Sequence, residues 1–272
     1  MTENAFQEES WTPVQKGFSR QSVHYDADDI INPILTAWRK KVYAHAEHFL
    51  KRPSRILEIN AGTGIDALHF VQAGHSVHAT DVSPGMIRKI REKIDQSGAA
   101  HRFTVQQCSF ESLYEIPERK FDFIFSNFGG LNCCCDLSLV TRHLEGILHD
   151  GAYLTWVVMP PVSPWEWTWI LKGQRKAFRR LANGGIPAHV EGETITTYYH
   201  SLRTIQQKLG TRFRLIKSEG LGALSPPPSS LKFIQRHPTT WAILSAIDDV
   251  ARLYFPFNRW ADHLIVTFQY KP

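Results

Sequence analysis

The chain has 272 residues, 43% of them hydrophobic and 21% charged, with a formal net charge of +5. That apolar content supports a full buried core and excludes a disordered or fibrous chain. Cys108 and the run Cys133, Cys134 and Cys135 match neither metal-ligand spacing nor a secreted disulfide framework, so no metal is expected; with no apolar leader or spanning run, the expected setting is cytoplasmic, without a membrane partner.

Residues 1–20 read as loose. A helical pattern covers about residues 29–50, where Ile30, Ile31, Ile34, Leu35, Trp38 and Val42 recur at helical spacing and Pro33 suits the first turn. This segment precedes the first strand, so it either covers the ligand end of a sheet or plugs the sheet's edge. Residues 55–59 have the apolar, β-branched character of a buried parallel strand, and they run into Asn60-Ala61-Gly62-Thr63-Gly64. Gly62 and Gly64 suit a backbone that must turn sharply and admit a ligand. Thr63 and Asp66 form a candidate capping pair for a helix that continues through Ala67, Leu68 and Phe70 and stops at Gly74.

Residues 76–81 read as a second strand ending in Asp81, roughly 20 residues beyond the glycine turn, where a doubly wound fold places a ribose-binding carboxylate. Ser83-Pro84-Gly85-Met86 opens the next helix. Residues 102–107 are a third strand. Residues 121–127 are a fourth, almost wholly apolar and therefore central, opening into Phe128-Gly129-Gly130-Leu131-Asn132. A helix over about residues 137–148 and a strand over 152–159 complete the βα alternation, which predicts an α/β fold with a doubly wound, mostly parallel sheet.

Past Pro160 and Pro161 the alternation breaks. Residues 162–199 hold Trp165-Glu166-Trp167-Thr168-Trp169, then Lys172, Arg175, Lys176, Arg179 and Arg180, spaced to spread charge over a helix surface. Strand character returns at residues 213–217, a helix is expected over about 239–254, and residues 263–270 alternate as a closing strand. The chain is thus divided into a cover (1–50), a ligand-binding core (51–161), an insertion or lid (162–199) and the rest of the core (200–272), with a helical insertion at about 223–258.

Glu58, Asn60, Gly62 and Gly64, followed by Asp81, resemble the first motifs of class I S-adenosylmethionine-dependent methyltransferases, an acid followed by glycines at alternating positions. Asn60 departs from the pattern by replacing the first glycine. The competing dinucleotide fingerprint has Ala67 where its third glycine belongs, and Glu58 suits a sulfonium cation better than a pyrophosphate. The resemblance implies a seven-stranded Rossmann-like sheet, S-adenosylmethionine as cofactor, and methyl transfer to a small-molecule acceptor. It puts Asp81 on the ribose, Val82 and Met86 near the adenine, Ser109 and Phe110 at the adenine edge, and Asn127 facing the methionine portion. From the cover, Tyr25 and Arg39 would reach the cofactor's carboxylate.

For the acceptor, Phe128, Trp165 and Trp167 suggest an apolar chamber with an aromatic lid, although large aromatics also serve as core. A general base is needed only for a protonated acceptor. Candidates are His189 and His200, each open to a purely structural role, and Glu166, either a pocket carboxylate with a raised pKa or a surface residue. Two alternatives stand beside methyl transfer to a small molecule. One is a catalytically silent adenosylmethionine-binding module; the other is an RNA methyltransferase, supported only by the basic run, whose charge is too local for a nucleic-acid footprint.

Overall fold

Strands that bury both faces need cover on both sides, and the sheet has it. The computed structural model describes residues 12–117, 120–173, 175–182 and 184–272. Its strands β1 (Arg55–Glu58), β2 (Ser76–Asp81), β3 (Phe103–Gln107), β4 (Phe121–Ser126) and β5 (Leu148–Val158) pair in parallel. A separate antiparallel hairpin, β6 (Ile186–Val190) and β7 (Glu193–Thr197), lies outside that sheet. The sheet is completed by β8 (Phe213–Leu221) and β9 (His263–Tyr270), β9 running antiparallel to both β5 and β8. The seven strands stand in the order β3-β2-β1-β4-β5-β9-β8. Strand order reverses between β1 and β4, so a crevice forms at their carboxyl ends.

One core cluster joins Ile124, Leu144, Trp156 and Phe268; the other joins Trp38, Ile56, Phe70 and Phe125. The helices covering these faces are α1 (Pro13–Gln21), α2 (Tyr25–Ile31), α3 (Pro33–Glu47), α4 (Ile65–Gln72), α5 (Pro84–Ser97), α6 (Ser138–Thr141), α7 (Leu144–Ile147), α8 (Leu202–Leu209), α9 (Leu231–Arg236) and α10 (Pro238–Ala251). Among the described residues, no helix is long and apolar enough to cross a membrane.

Several local expectations need correction. Residues 13–21, read as loose, form α1, because Thr12 and Gln15 make a reciprocal capping box ahead of Pro13; residues 1–11 lie outside the described residues. The helix expected over residues 29–50 is two helices. Asn32 separates them, its side chain accepting the amides of Ile34 and Leu35 to cap α3. Thr63 and Asp66 do not cap α4; Gly64, left-handed at φ 80°, holds that position without a side-chain bond. The basic run is not an α-helix but part of two 3₁₀ stretches, Pro164–Lys172 and Arg175–Leu181.

Arg180 leaves the surface altogether. Only 6% exposed, it donates from Nε to Glu166 at 2.9 Å and from Nη1 to the Asp262 carbonyl at 2.9 Å, and it pairs with the Asp262 carboxylate. This knot fastens the first insertion to the chain entering β9.

Candidate functional site

The turn after β1 sets the site's floor. Ile59 donates its amide to Phe125 and Ala61 to Thr80, both at 2.9 Å, so the turn is stitched to β4 and β2. Asn60, Gly62 and Gly64 then take φ values of 48°, 57° and 80° in the left-handed region, which glycine adopts freely and asparagine tolerates better than most residues. The Asn60 side chain is held by Ser126, whose hydroxyl donates to Oδ1 at 2.9 Å. Its buried Nδ2 has no protein partner. Against it lies Gly130, where an added Cβ would sit 2.2 Å from Nδ2 and 2.4 Å from Cγ.

Asp81, at the end of β2, accepts the amides of Gly62 at 2.9 Å and Ser83 at 2.8 Å. Burial pushes its carboxyl up to about 6 against the opposing pull of those amides. Glu58 is also buried, its Oε2 unpartnered, and burial followed by the Asp66 charge raises it well above the usual carboxylate range.

Above this floor is a cavity holding about 990 Å³ of empty space, its mouth included. At one end its wall is Gly62, Asp81, Val82, Met86, Cys108 and Phe110. Toward the ends of β4 and β5 it is Asn127, Phe128, Asn132, Cys133 and Met159. Its roof comes from α1 and α2 (Val14, Phe18 and Tyr25) and from the hairpin (Ala188, Val190, Ile195 and Thr197). Arg20 holds roof and hairpin together, bonding the Glu191 carbonyl and the Glu193 carboxylate, both at 3.1 Å. From α1 to the strand side, the Ser19 and Ser83 hydroxyls meet at 2.9 Å.

A charged knot underlies the cover. Asp66 accepts from the Tyr43 hydroxyl at 2.6 Å, from Asn127 Nδ2 at 2.9 Å and from Arg39, which also reaches Asp29 at 2.7 Å. The Arg39 guanidinium lies 4.8 Å from the Phe128 ring centre. Asn132 does similar work at the opposite wall, donating to the carbonyls of Met159 and Tyr198 and accepting the Met159 amide.

Of the site residues expected from sequence, the cavity wall gathers Tyr25, Asn60, Gly62, Asp81, Val82, Met86, Phe110, Asn127 and Phe128. Glu58 and Gly64 lie beneath it, Gly64 close against Ile90. Arg39 is not on the wall, because two carboxylates hold its guanidinium. Nor is Ser109, whose hydroxyl accepts the Glu111 amide. The aromatic lid is also overturned. A 3₁₀ coil turns side chains two apart onto different sides, and Trp165 packs on Phe233 while Trp167 packs on Trp260.

None of the proposed bases reaches the cavity. Glu166 is not a surface residue, and it lines a separate small pocket beside Trp167 and Phe178, not this cavity; it is 3% exposed and paired with Arg179 and Arg180. His189 sits on the hairpin beside Thr194, and the buried His200 bonds the Cys134 carbonyl, burial lowering its pKa. Cys108 and Cys133 line the cavity as free thiols pushed up to about 11, by burial first. Asn132, the hairpin and α1 escaped the sequence reading. The capping box at Thr12 and the Glu191-Gly192 turn, positive in φ at both residues, were the available signals.

Residues 56–151 match the model of the methyltransferase domain family. That stretch carries a methyltransferase domain. The chain is 28% identical over 131 residues to a ubiquinone/menaquinone biosynthesis C-methyltransferase of Xanthomonas campestris pv. campestris, a match covering 45% of this chain and 50% of that protein. The chain thus spans about half the length of the first curated relatives it matches. Among solved structures, the 1,6-didemethyltoxoflavin-N1-methyltransferase of Burkholderia thailandensis superposes with a TM-score of 0.55 at 14% identity, over 100% of this chain and 92% of the other. The [4+2]-cyclase SpnF superposes with a TM-score of 0.56 at 15% identity, over 87% and 81%. These two likenesses establish the fold of the methyltransferase domain; its chemistry has to be argued from the cavity.

Proposed function

We propose that this methyltransferase domain binds S-adenosylmethionine and transfers its methyl group to a neutral, largely apolar small molecule. The cavity carries the proposal, because it joins a nucleoside-shaped end to an apolar chamber. Asp81 offers a carboxylate to ribose hydroxyls, between the glycine turn and the apolar side chains of Val82, Met86 and Phe110. Asn60 Nδ2, on the cavity wall, is a buried polar atom without a protein partner, and an adenosyl amino acid at the turn gives such an atom a use. Tyr25 and Asn127 stand where the cover meets the end of β4. One neighbour in fold, the toxoflavin methyltransferase, was crystallised with both S-adenosylhomocysteine and 1,6-didemethyltoxoflavin bound.

When bound, the cofactor supplies a methyl group on a cationic sulfur, already activated toward nucleophiles. The chain's own part is alignment and exclusion of water, done by a rigid floor and an apolar roof. Among the described residues, no wall of the cavity carries an Arg, Lys or His, so an acceptor carboxylate or phosphate finds no counter-charge there. Among the described residues, Asp81 is the wall's only carboxylate, and it is engaged by two amides. Tyr25 stays protonated, pushed up to about 12 by burial. The acceptor must therefore be nucleophilic in its own right, for example a neutral ring nitrogen or an electron-rich carbon.

Two competing readings lose support. The basic run that favoured RNA contributes Arg180 to a buried ion pair, and a silent binding module has no need of an apolar chamber beside its ligand. The test is incubation of the protein and isotopically labelled donor with cell extract separated into neutral and anionic fractions. Label should enter a neutral, apolar metabolite. Ile195→Asp, in the chamber's roof, should abolish labelling while S-adenosylhomocysteine still binds in calorimetry. Label confined to anionic compounds would overturn the acceptor class, and absence of donor binding would overturn the whole reading.

A further inference from the structure

The second insertion presents a face that the core does not use. Along α10, Trp241 packs against the core and Asp248 is buried, accepting the amides of Gly222 and Leu224 and the Ser225 hydroxyl. Those two residues fix the inner side of the helix. Outward, Ile243, Ile247, Val250, Leu253, Tyr254 and Phe255 are 56, 49, 64, 42, 64 and 69% exposed. At 3.6 residues per turn, Ile243, Ile247 and Val250 fall within roughly 60° of arc and form one stripe, with Tyr254 and Phe255 exposed just past the helix end. A helix apolar on its inner and outer sides belongs in an apolar environment on both.

The stripe continues past the helix. Phe255 meets Trp260 at 6.1 Å between ring centres, and Trp260 meets Trp167 at 6.0 Å, leading onto the first insertion, where Ile170, Phe178 and Leu181 are 48, 54 and 56% exposed. A contiguous patch of this kind marks an interaction surface. Its rim is basic. Lys232 and Arg236 are exposed at one end, and Arg259 at the other, its guanidinium 5.7 Å from the Phe255 ring. The acid on that helix's rim, Asp249, is paired with Lys41 and Arg252.

Charge decides the occupant. If two copies paired through α10 about a two-fold axis, an antiparallel arrangement would set the Lys232 and Arg236 end against Arg259, and a parallel one would set each cation against itself. An anionic lipid surface complements both ends at once, and tryptophan, tyrosine and phenylalanine are the side chains that settle at a lipid headgroup boundary. We infer that the α10 face and the Phe255-Trp260-Trp167 ridge seat the protein peripherally on an anionic bilayer, contrary to the expectation of no membrane contact. The helix lies on the surface; it does not span.

The test is co-sedimentation with vesicles of phosphatidylglycerol and phosphatidylcholine, against vesicles of phosphatidylcholine alone. The protein should sediment with the anionic vesicles and be released by high salt. Ile247→Asp with Phe255→Asp should remove binding while S-adenosylhomocysteine affinity and near-UV dichroism are retained. Arg259→Ala, a surface change that leaves the fold intact, should weaken vesicle partitioning by about fivefold. The inference is overturned if the wild-type protein ignores anionic vesicles, if Arg259→Ala partitions equally well, or if sedimentation equilibrium finds a dimer that Ile247→Asp disperses.

Discussion

Gly130→Ala is the sharpest probe of the site's floor. The new Cβ would lie 2.2 Å from Asn60 Nδ2, 2.4 Å from Cγ and 2.9 Å from Cβ. A flexible side-chain tip could move aside, but Asn60 is held at Oδ1 by Ser126 and at its backbone by the turn, so its whole side chain must shift. Overpacking of this kind costs about 1–3 kcal/mol. If the displaced amide enters the cofactor's space, the cost appears as a roughly 5- to 150-fold loss of affinity for S-adenosylhomocysteine, since about 1.4 kcal/mol is tenfold. If it is absorbed by the fold, it appears as a fall in melting temperature of about 2–4 °C per kcal/mol. The double variant Asn60→Gly with Gly130→Ala removes the obstructing side chain and keeps the positive φ, so it should recover most of the loss. Calorimetry and thermal melting of the four proteins, wild type included, read the cycle. Unchanged affinity and stability in Gly130→Ala, or a double variant as impaired as the single one, would refute the close fit.

Three further outcomes follow from the same geometry. On the proposed reading Asp81 accepts ribose hydroxyls, best when ionised, and burial raises its carboxyl to about 6, so donor affinity should fall as pH drops through about 6. Asp81→Asn should bind roughly 10- to 100-fold more weakly and lose that pH step in calorimetry. For the apo-protein the sign is opposite: a folded-state pKa above the unfolded one favours folding at low pH, and that contribution is lost as pH rises through about 6. Arg180→Met leaves the buried Asp262 without its guanidinium and Glu166 with only the more exposed Arg179, and urea unfolding should show a loss of about 3–5 kcal/mol. Adding Glu166→Gln and Asp262→Asn should restore part of it. Trp167→Ala, on the outer ridge and away from the cavity, should leave turnover and donor affinity unchanged; a fall in either would return it to the site.

What the sequence disclosed depended on the range of the interaction. Buried parallel strands announce themselves through consecutive apolar residues, and the Gly62, Gly64 and Asp81 spacing is local to one βαβ unit, so the sheet and the glycine turn flooring the cavity were legible. Asp66 shows where this stops. Thr63 three residues before it gives it the look of a helix cap, yet its partners come from Arg39 and Tyr43 on the cover and Asn127 beyond β4, and no local pattern encodes that meeting. The hairpin roof was missed for a different reason. Its turn is Glu191-Gly192 with φ 47° and 83°, a geometry for which Asn-Gly is the familiar signal.

Arg180 carries the same lesson into the chain's function. Its place on a basic helix face followed only if the segment were α-helical; in a 3₁₀ stretch the residues face differently, and this one points to Glu166, 14 positions away, and Asp262, 82 away. The consequence is that the apparent nucleic-acid charge becomes a fastener between the first insertion and the chain entering β9. Fastening them brings Trp167 to Trp260 and continues the exposed face of α10, so the residues that looked like an acceptor lid instead build the outer ridge. The proposed acceptor chamber is left to α1 and the hairpin, which line the cavity. Substitutions in α1 and the hairpin should therefore change which acceptor is methylated, and those on the ridge should change where the protein resides.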